Sequence, residues 1–319
     1  ARIGWAVGSE PNQVFNRRWL MKPGTVPENP FGTFDQVKMN PGHNSNLVKP
    51  AGPTDPEVCL LSVQSADGRP LAVLANYSLH YVGDVGNAHI SADYFAAFCD
   101  RMQQLLNADR QDPPFVAILS NGTSGNINNN DYSKPPAPRG PLYSKIHKVA
   151  DDVAQAALKA MQGIQYHDWV PLDARYRELE VVARHPTPEQ LARAQELVAK
   201  RRPFGEKATL QIIYAERAIA INGYPATLQV PIQTLRVGDC GIATSPFETF
   251  VETGLELKAK SPFKPSFTIE IAGGYYGYLP TPEQHKLGGY ETWLGTNRVA
   301  PDTSDKLTEA LLSMWGEMK

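Results

Sequence analysis

The sequence predicts a mixed α/β fold, with helices layered around a central mixed sheet. Three observations predict it. The apolar run from Phe115 to Leu119 stops abruptly in a polar loop, Ser120-Asn121-Gly122-Thr123-Ser124-Gly125-Asn126. A second apolar run, 71–75, leads the same way into Asn76-Tyr77-Ser78-Leu79-His80 and a glycine-bearing loop with Asp84, His89 and Asp93. Strand-like and helix-like segments then alternate to the end of the chain. Open α/β sheets place chemistry where a buried strand gives way to a polar loop at its carboxyl end, so two such ends predict a shared cleft.

Taken in order, residues 1–56 read as loop-rich, punctuated by Pro23-Gly24, Asn29-Pro30, Asn40-Pro41-Gly42 and Gly52-Pro53. Residues 57–79 read as a hairpin turning at Ala66-Asp67-Gly68. The 91–107 stretch predicts a helix capped by Ser91, with Tyr94, Phe95, Phe98, Met102 and Leu105 on one face. Residues 115–119 form a strand, 143–161 an alanine-rich helix and 176–182 an alternating strand. Thr187-Pro188 with Gln190 is a capping-box pattern for a helix to about residue 200. A second helix is expected at 206–218, so that 185–220 form a helical insertion. Strands follow at 227–237 and 239–244. Pro246 predicts a helix first turn that carries Glu248 and runs to about residue 260. Residues 266–272 form a strand, 273–295 a glycine- and tyrosine-rich loop, and 303–318 a closing helix.

At 319 residues and 42% hydrophobic the chain buries a sizeable core, and one domain over 1–319 is expected. A net charge of −2 argues against nucleic acid or an anionic membrane as main partner. The longest basic run, Lys200-Arg201-Arg202, reads as a solvated helix end. Cys59, Cys99 and Cys240 are too few and too scattered for a disulfide scaffold or a cysteine zinc site. No apolar stretch approaches the roughly 18–20 residues of a membrane span.

Each chemically capable group has a bland alternative. His80, at a loop mouth, suits a metal or a backbone-bonded core position. Glu248 suits an anion site at a helix start or an ordinary first-turn carboxylate. Tyr275, Tyr276 and Tyr278 line a pocket or pack over the core edge. Arg17 and Arg18 suit a carboxylate or phosphate clamp, or the surface. Asn76-Tyr77-Ser78 and Asn121-Gly122-Thr123 match glycosylation sequons, but both fall at strand ends near the cleft. No phosphate-binding loop, nucleophile elbow, His-Glu-x-x-His or dinucleotide fingerprint occurs.

The order of these features resembles the catalytic domain of the neutral/alkaline (non-lysosomal) ceramidases, especially short bacterial members. Asn16-Arg17 resembles the family's Asn-Arg pair, and Asn76 through His80 the strand that ends in a zinc histidine. Ser91-Ala92-Asp93 resembles the Ser-Asp that follows it. Ser120-Asn121 through Asn130 resembles the loop that bears the catalytic serine. Pro246-Phe247-Glu248-Thr249-Phe250 resembles the segment with the zinc glutamate. Tyr275 through Thr281 resembles the segment with the zinc tyrosine, and Tyr290-Glu291 the Tyr-Glu beyond it.

The resemblance implies a zinc-dependent amidohydrolase with a small-molecule or lipid amide substrate. It also implies export to the periplasm or outside. By carry-over the Zn2+ ligands are His80, Glu248 and Tyr278, and a zinc-bound water attacks the carbonyl. Arg17, Asn128, Ser124 and Tyr278 are the candidate catalytic residues. Asn121, Asn126, Tyr275 and Tyr276 are the candidate substrate contacts. Three departures stand out. The family's upstream His-Thr-His has no counterpart, so a missing N-terminal segment is expected. Asn128 occupies the serine position, with Ser124 as a substitute. No C-terminal β-sandwich domain follows. Two alternatives stay open: a non-catalytic ligand-binding protein on the same fold, and an amidase for a glycan or peptide.

Overall fold

The computed structural model describes residues 1–200 and 207–319. The chain opens with β1 (Arg2–Ser9) and the short strands β2 (Phe15–Asn16), β3 (Arg18–Met21), β4 (Val37–Met39) and β5 (Leu47–Pro50). The hairpin of β6 (Glu57–Gln64) and β7 (Pro70–Tyr77) follows, then α1 (Asp93–Leu105), β8 (Val116–Asn121), β9 (Ile127–Asn128) and α2 (Ser144–Met161). β10 (Leu172–Val182) leads into the helical hairpin of α3 (Pro188–Ala199) and α4 (Leu210–Asn222). The remainder is β11 (Thr227–Val237), β12 (Cys240–Ser245), β13 (Glu248–Thr249), α5 (Val251–Lys260), β14 (Ser266–Glu270), β15 (Tyr278–Leu279), α6 (Pro282–Leu287) and α7 (Thr303–Gly316).

The mixed α/β expectation holds, with the sheet layer doubled. One four-stranded sheet has the order β1-β6-β7-β8 and the other β10-β11-β12-β14. Side chains alternate across a strand, so a strand covered on both faces must be apolar on both. β6 meets that condition. Val58 and Leu60 pack with Val73, Ala75 and the α1–α2 residues Phe98, Met102, Val149 and Val153. Cys59 and Leu61 face the other way, onto Cys240, Ile242 and Phe267 of the second sheet. The far side of that sheet packs Val230, Ile232 and Ala243 against Leu307, Leu311 and Trp315 of α7. The layers therefore run helix, sheet, sheet, helix.

Where expectation and structure differ, the cause is local. β1 lies within the stretch read as loop. In this strand a Cβ at Gly8 would stand 2.7 Å from the Ala156 carbonyl oxygen, so the glycine lets α2 cross the strand closely. Ser91 accepts from the Asp93 N–H at 2.9 Å, and α1 begins at Asp93. The Thr187 capping box of α3 is present as read. α4 starts at Leu210, capped by Thr209, whereas the earlier start expected at Glu206 lies outside the described residues. So do Arg201 and Arg202 of the basic run, while Lys200 is exposed. The 273–295 loop contains α6, opened by Thr281-Pro282-Glu283-Gln284, the same four residue types that open α3. Glu248 does not sit in a helix first turn. It lies in β13, and α5 begins only at Val251, so the helix-dipole argument for this carboxylate falls.

Among the described residues no helix is long and apolar enough to cross a membrane. Trp315 is fully buried in the outer α7 layer. We expect Trp315→Ala to cost about 3–5 kcal/mol in urea unfolding. A loss below about 1 kcal/mol would show that α7 does not share the cooperative core.

Candidate active site

Two parallel strand pairs build the site. β7 and β8 run parallel in the first sheet, and β12 and β14 run parallel in the second. Their carboxyl ends lie together because the sheets are stitched there. The Asn76 amide at the end of β7 donates to the Thr268 carbonyl of β14 at 3.1 Å. His80 follows β7, Ser124 follows β8, Glu248 follows β12, and Glu270 ends β14. β13 then pairs in parallel with β15, which sets Glu248 beside Tyr278. Gly125 permits the close approach of the β8 loop: a Cβ there would stand 2.4 Å from the Glu248 carbonyl oxygen.

The His80 ring is held from behind. Its Nδ1 lies 2.6 Å from the Ser124 carbonyl oxygen and 3.0 Å from Ser124 Oγ. A carbonyl only accepts, so these partners assign the proton to Nδ1. Burial, with Arg17 nearby, pulls the imidazole below its ordinary value and favours the neutral ring. Nε2 then presents a lone pair, 2.9 Å from Glu248 Oε2 and 3.5 Å from the Tyr278 hydroxyl. Burial pushes the Glu248 carboxyl up, yet hydrogen bonds with His80, Tyr278 and Tyr275 bring it below its usual range. A neutral imidazole nitrogen and an ionised carboxylate thus face each other as two acceptors. That pairing calls for a positive centre between them, a proton or a metal cation. Imidazole nitrogen, carboxylate and phenol are donor types that a borderline-soft divalent cation accepts. Among the described residues no group of three or more His, Cys, Asp and Glu side chains gathers, so any such set must include the phenol of Tyr278. Burial and Glu248 push that phenol up, so it keeps its proton when no cation is near.

Behind this trio, Glu270 is buried and joins both sheets. Its Oε1 accepts from Ser124 Oγ at 2.6 Å and from the Asn121 amide at 2.8 Å. Its Oε2 accepts from the backbone N–H of Thr249 at 2.8 Å and of Ser124 at 3.1 Å. Burial pushes this carboxyl up to about 8, against the pull of the Ser124 and Thr249 donors.

The third group is cationic. Arg17 Nε donates to Glu291 Oε1 at 3.0 Å, and Arg18 Nη1 donates to Glu291 Oε2 at 2.7 Å. The two guanidiniums hold the Glu291 carboxyl below its usual range despite full burial. Arg17 lies over the Tyr278 ring, 5.2 Å from its centroid, and its buried Nη2 has no partner.

No protein-family model and no curated protein matches the chain. Its structure is similar to that of neutral ceramidase from Pseudomonas aeruginosa, with a TM-score of 0.66 and 18% sequence identity. The match covers 99% of this chain and 52% of that one. A ceramidase complexed with C2 is similar to the same degree, with 53% of its chain covered. The chain has the neutral ceramidase fold. It spans about half the length of the ceramidase chains it matches.

Within this ceramidase fold the residues singled out by sequence divide in two. His80, Glu248, Tyr278, Tyr275 and Arg17 converge, with the Tyr275 hydroxyl donating to Glu248 Oε1 at 2.8 Å. The others sit elsewhere. Ser124 is fully buried behind His80, placed to hold the ring and closed to substrate. Asn126 is fully buried, bonded to Glu252 and to the Val251 N–H, so it serves the scaffold and not a ligand. Asn121 is committed to Glu270. The Asn128 amide donates to Asn40 and to Tyr132, and its oxygen accepts from the Asn130 N–H. Tyr276 bonds the Gln229 carbonyl and packs on Phe247. Arg18 is fully buried on Glu291, Gln284 and Gly288, which ends its reading as a ligand clamp. Asp93, in the segment after His80, accepts from the Val82 and Gly83 N–H groups and shapes that loop. Glu270 was missed. Its signal was a carboxylate closing a short strand that alternates small hydroxyl and apolar residues, Ser266-Phe267-Thr268-Ile269-Glu270.

Removing the Glu291 charge leaves two buried guanidiniums without their counter-ion, so Glu291→Gln should cost about 3–5 kcal/mol. The pH dependence follows from the sign of the shift. The folded pKa lies below the unfolded one, so the wild-type contribution is complete above the ordinary glutamate pKa, near 4.3, and is lost as pH falls. Urea unfolding from pH 7 down to pH 3 should show a shallower acid-side decline in the variant. Parallel curves would contradict the ion-pair account.

Proposed function

We propose that this chain is a metal-dependent hydrolase of amide bonds, with zinc as its cation and with His80, Glu248 and Tyr278 as the protein ligands. One observation carries the reading: His80 Nε2 lies 2.9 Å from Glu248 Oε2, beside a phenol and an unpartnered buried guanidinium. The neutral ceramidase fold supports an amide as the bond attacked. When bound, the cation would polarise the amide carbonyl and lower the pKa of water.

The protein groups have separable tasks. The Ser124 carbonyl fixes the His80 tautomer, so that Nε2 stays free to ligate. Arg17 keeps its charge through Glu291, and its free Nη2 offers a donor to a developing oxyanion. The Tyr275 hydroxyl holds Glu248 Oε1 and so orients the carboxylate. Ser124 is too buried to act as nucleophile, and Asn128 has no such chemistry, so water is the nucleophile of this reading.

A second reading has one observation in its favour. Asn128 stands at the position where the resemblance puts a serine, and its amide is consumed by Asn40 and Tyr132. A ligand-binding protein on the hydrolase fold would show that loss. Elemental analysis of the purified full-length protein separates the readings. We expect about one zinc per chain in the wild type and a large loss in Glu248→Ala. No metal after zinc incubation would favour the binding protein. With a cleavable N-acyl substrate, Arg17→Gln should lower kcat about 10²–10³-fold with a smaller effect on KM. A change confined to KM would remove Arg17 from the oxyanion role.

A further inference from the structure

Beside the donor trio lies a cavity of about 290 Å³ whose lining includes Tyr275, Tyr278, Tyr290, Arg217 and Arg298. Its chemistry is unusual for a pocket meant for a neutral lipid. Both guanidiniums stack on phenol faces: Arg298 lies 5.7 Å from the Tyr275 centroid and Arg217 lies 4.8 Å from the Tyr214 centroid. No carboxylate among the described residues forms an ion pair with either of them. Stacking positions a guanidinium while leaving its N–H edge free, and that edge is the part that reads carboxylate and phosphate oxygens.

The cavity and the trio are joined by one side chain. Tyr275 donates its hydroxyl to Glu248 and offers its ring to Arg298. An anion held by Arg298 therefore lies about the length of a phenol from Glu248, in a cavity that Arg217 also lines. The helical hairpin supplies one wall, through Arg217, Ala220, Ile221 and Tyr224 of α4 and the turn after it. α4 is fixed there by the Tyr214 hydroxyl on Thr296 Oγ1 at 2.5 Å and by Tyr214 packed edge-on to Trp293.

We propose that this cavity is a specificity subsite for a compact anionic group, so that the substrate is an N-acyl amide whose amine portion bears a carboxylate or phosphate a few bonds from the scissile bond. This rests on the amide-hydrolase reading above and narrows its substrate class.

Three amides sharing one acyl chain test it on the zinc-incubated full-length protein: octanoylglycine, octanoyl-O-phosphoethanolamine and octanoylethanolamine. Trp293 packs against Tyr214 and Tyr290 at 5.3 and 5.8 Å, so its fluorescence reports binding without any need for turnover. At least one anionic amide should bind about tenfold more tightly than the alcohol, and which one does identifies the anion. Arg217→Gln and Arg298→Gln should each cut that preference about fivefold, with the thermal midpoint checked for folding. Equal affinity for all three, a preference that both substitutions leave intact, or no binding at millimolar concentration would overturn the subsite. Tight anionic binding without hydrolysis would keep the subsite and end the hydrolase reading. Equal binding with equal hydrolysis of all three would do the reverse.

Discussion

The carboxyl of Glu270 is the point on which the site depends. It accepts from the Ser124 hydroxyl and N–H on one sheet's side and from the Thr249 N–H on the other's. Ser124 in turn fixes the His80 ring, and Thr249 adjoins Glu248. The two groups that face each other at 2.9 Å are thus referenced to one buried acid. A fully buried acid is costly, which is why burial pushes this one up to about 8, and it is retained with four donors around it where an apolar residue of similar size would fill the space more cheaply. A layer made only of packed Val, Leu and Phe would hold the two sheets together, but it would not set their strand ends to within a hydrogen bond. Polar registration of this kind is the attested use of buried polar groups.

The second constraint is charge. Two adjacent arginines reach the interior, Arg17 between β2 and β3 and Arg18 at the start of β3, and one carboxylate between them carries both. Arg18 spends its remaining donors on Gln284 and on the Gly288 carbonyl, so it is structural. Arg17 keeps one nitrogen unspent and lies against Tyr278. The same ion triad therefore does two things. It anchors the α6 segment to the small three-stranded sheet, order β4-β3-β5, and it delivers a positive group to the site without a mobile side chain. A rigid donor of this sort costs little reorganisation when charge develops beside it.

Much of this was legible in the sequence, and the failures have physical causes. The two polar loops after apolar runs located the cleft because a buried strand must end where its backbone meets polar partners. His80 and Tyr278, singled out by motif order, lie beside each other in the structure. The helix start at Pro246 was misread because proline suits both a first turn and an edge bridge, and here parallel pairing with β15 took Glu248 into a two-residue strand. The small sheet and β1 were missed because glycine and proline there mark close approaches as well as turns. The asparagines looked like substrate contacts because Asn suits loops of any purpose. Only the folded chain shows that Asn126 and Asn121 satisfy buried carboxylates. Glu270 and the Arg217–Arg298 pair are assembled from residues far apart in the chain, and no local pattern announces them.

Asn128 can be placed in the same terms. A serine that attacks or shuttles a proton must present its oxygen to the reacting carbon. The side chain at this position instead ties its own segment, through Asn130 and Tyr132, to Asn40. The hydrolytic reading does not need this residue, since His80, Glu248, Tyr278 and Arg17 reach the site through contacts that bypass it. The cavity beside the site is instead lined by cationic and aromatic groups, Arg217 and Arg298 among Tyr275, Tyr278 and Tyr290, so its chemistry owes nothing to the Asn128 side chain.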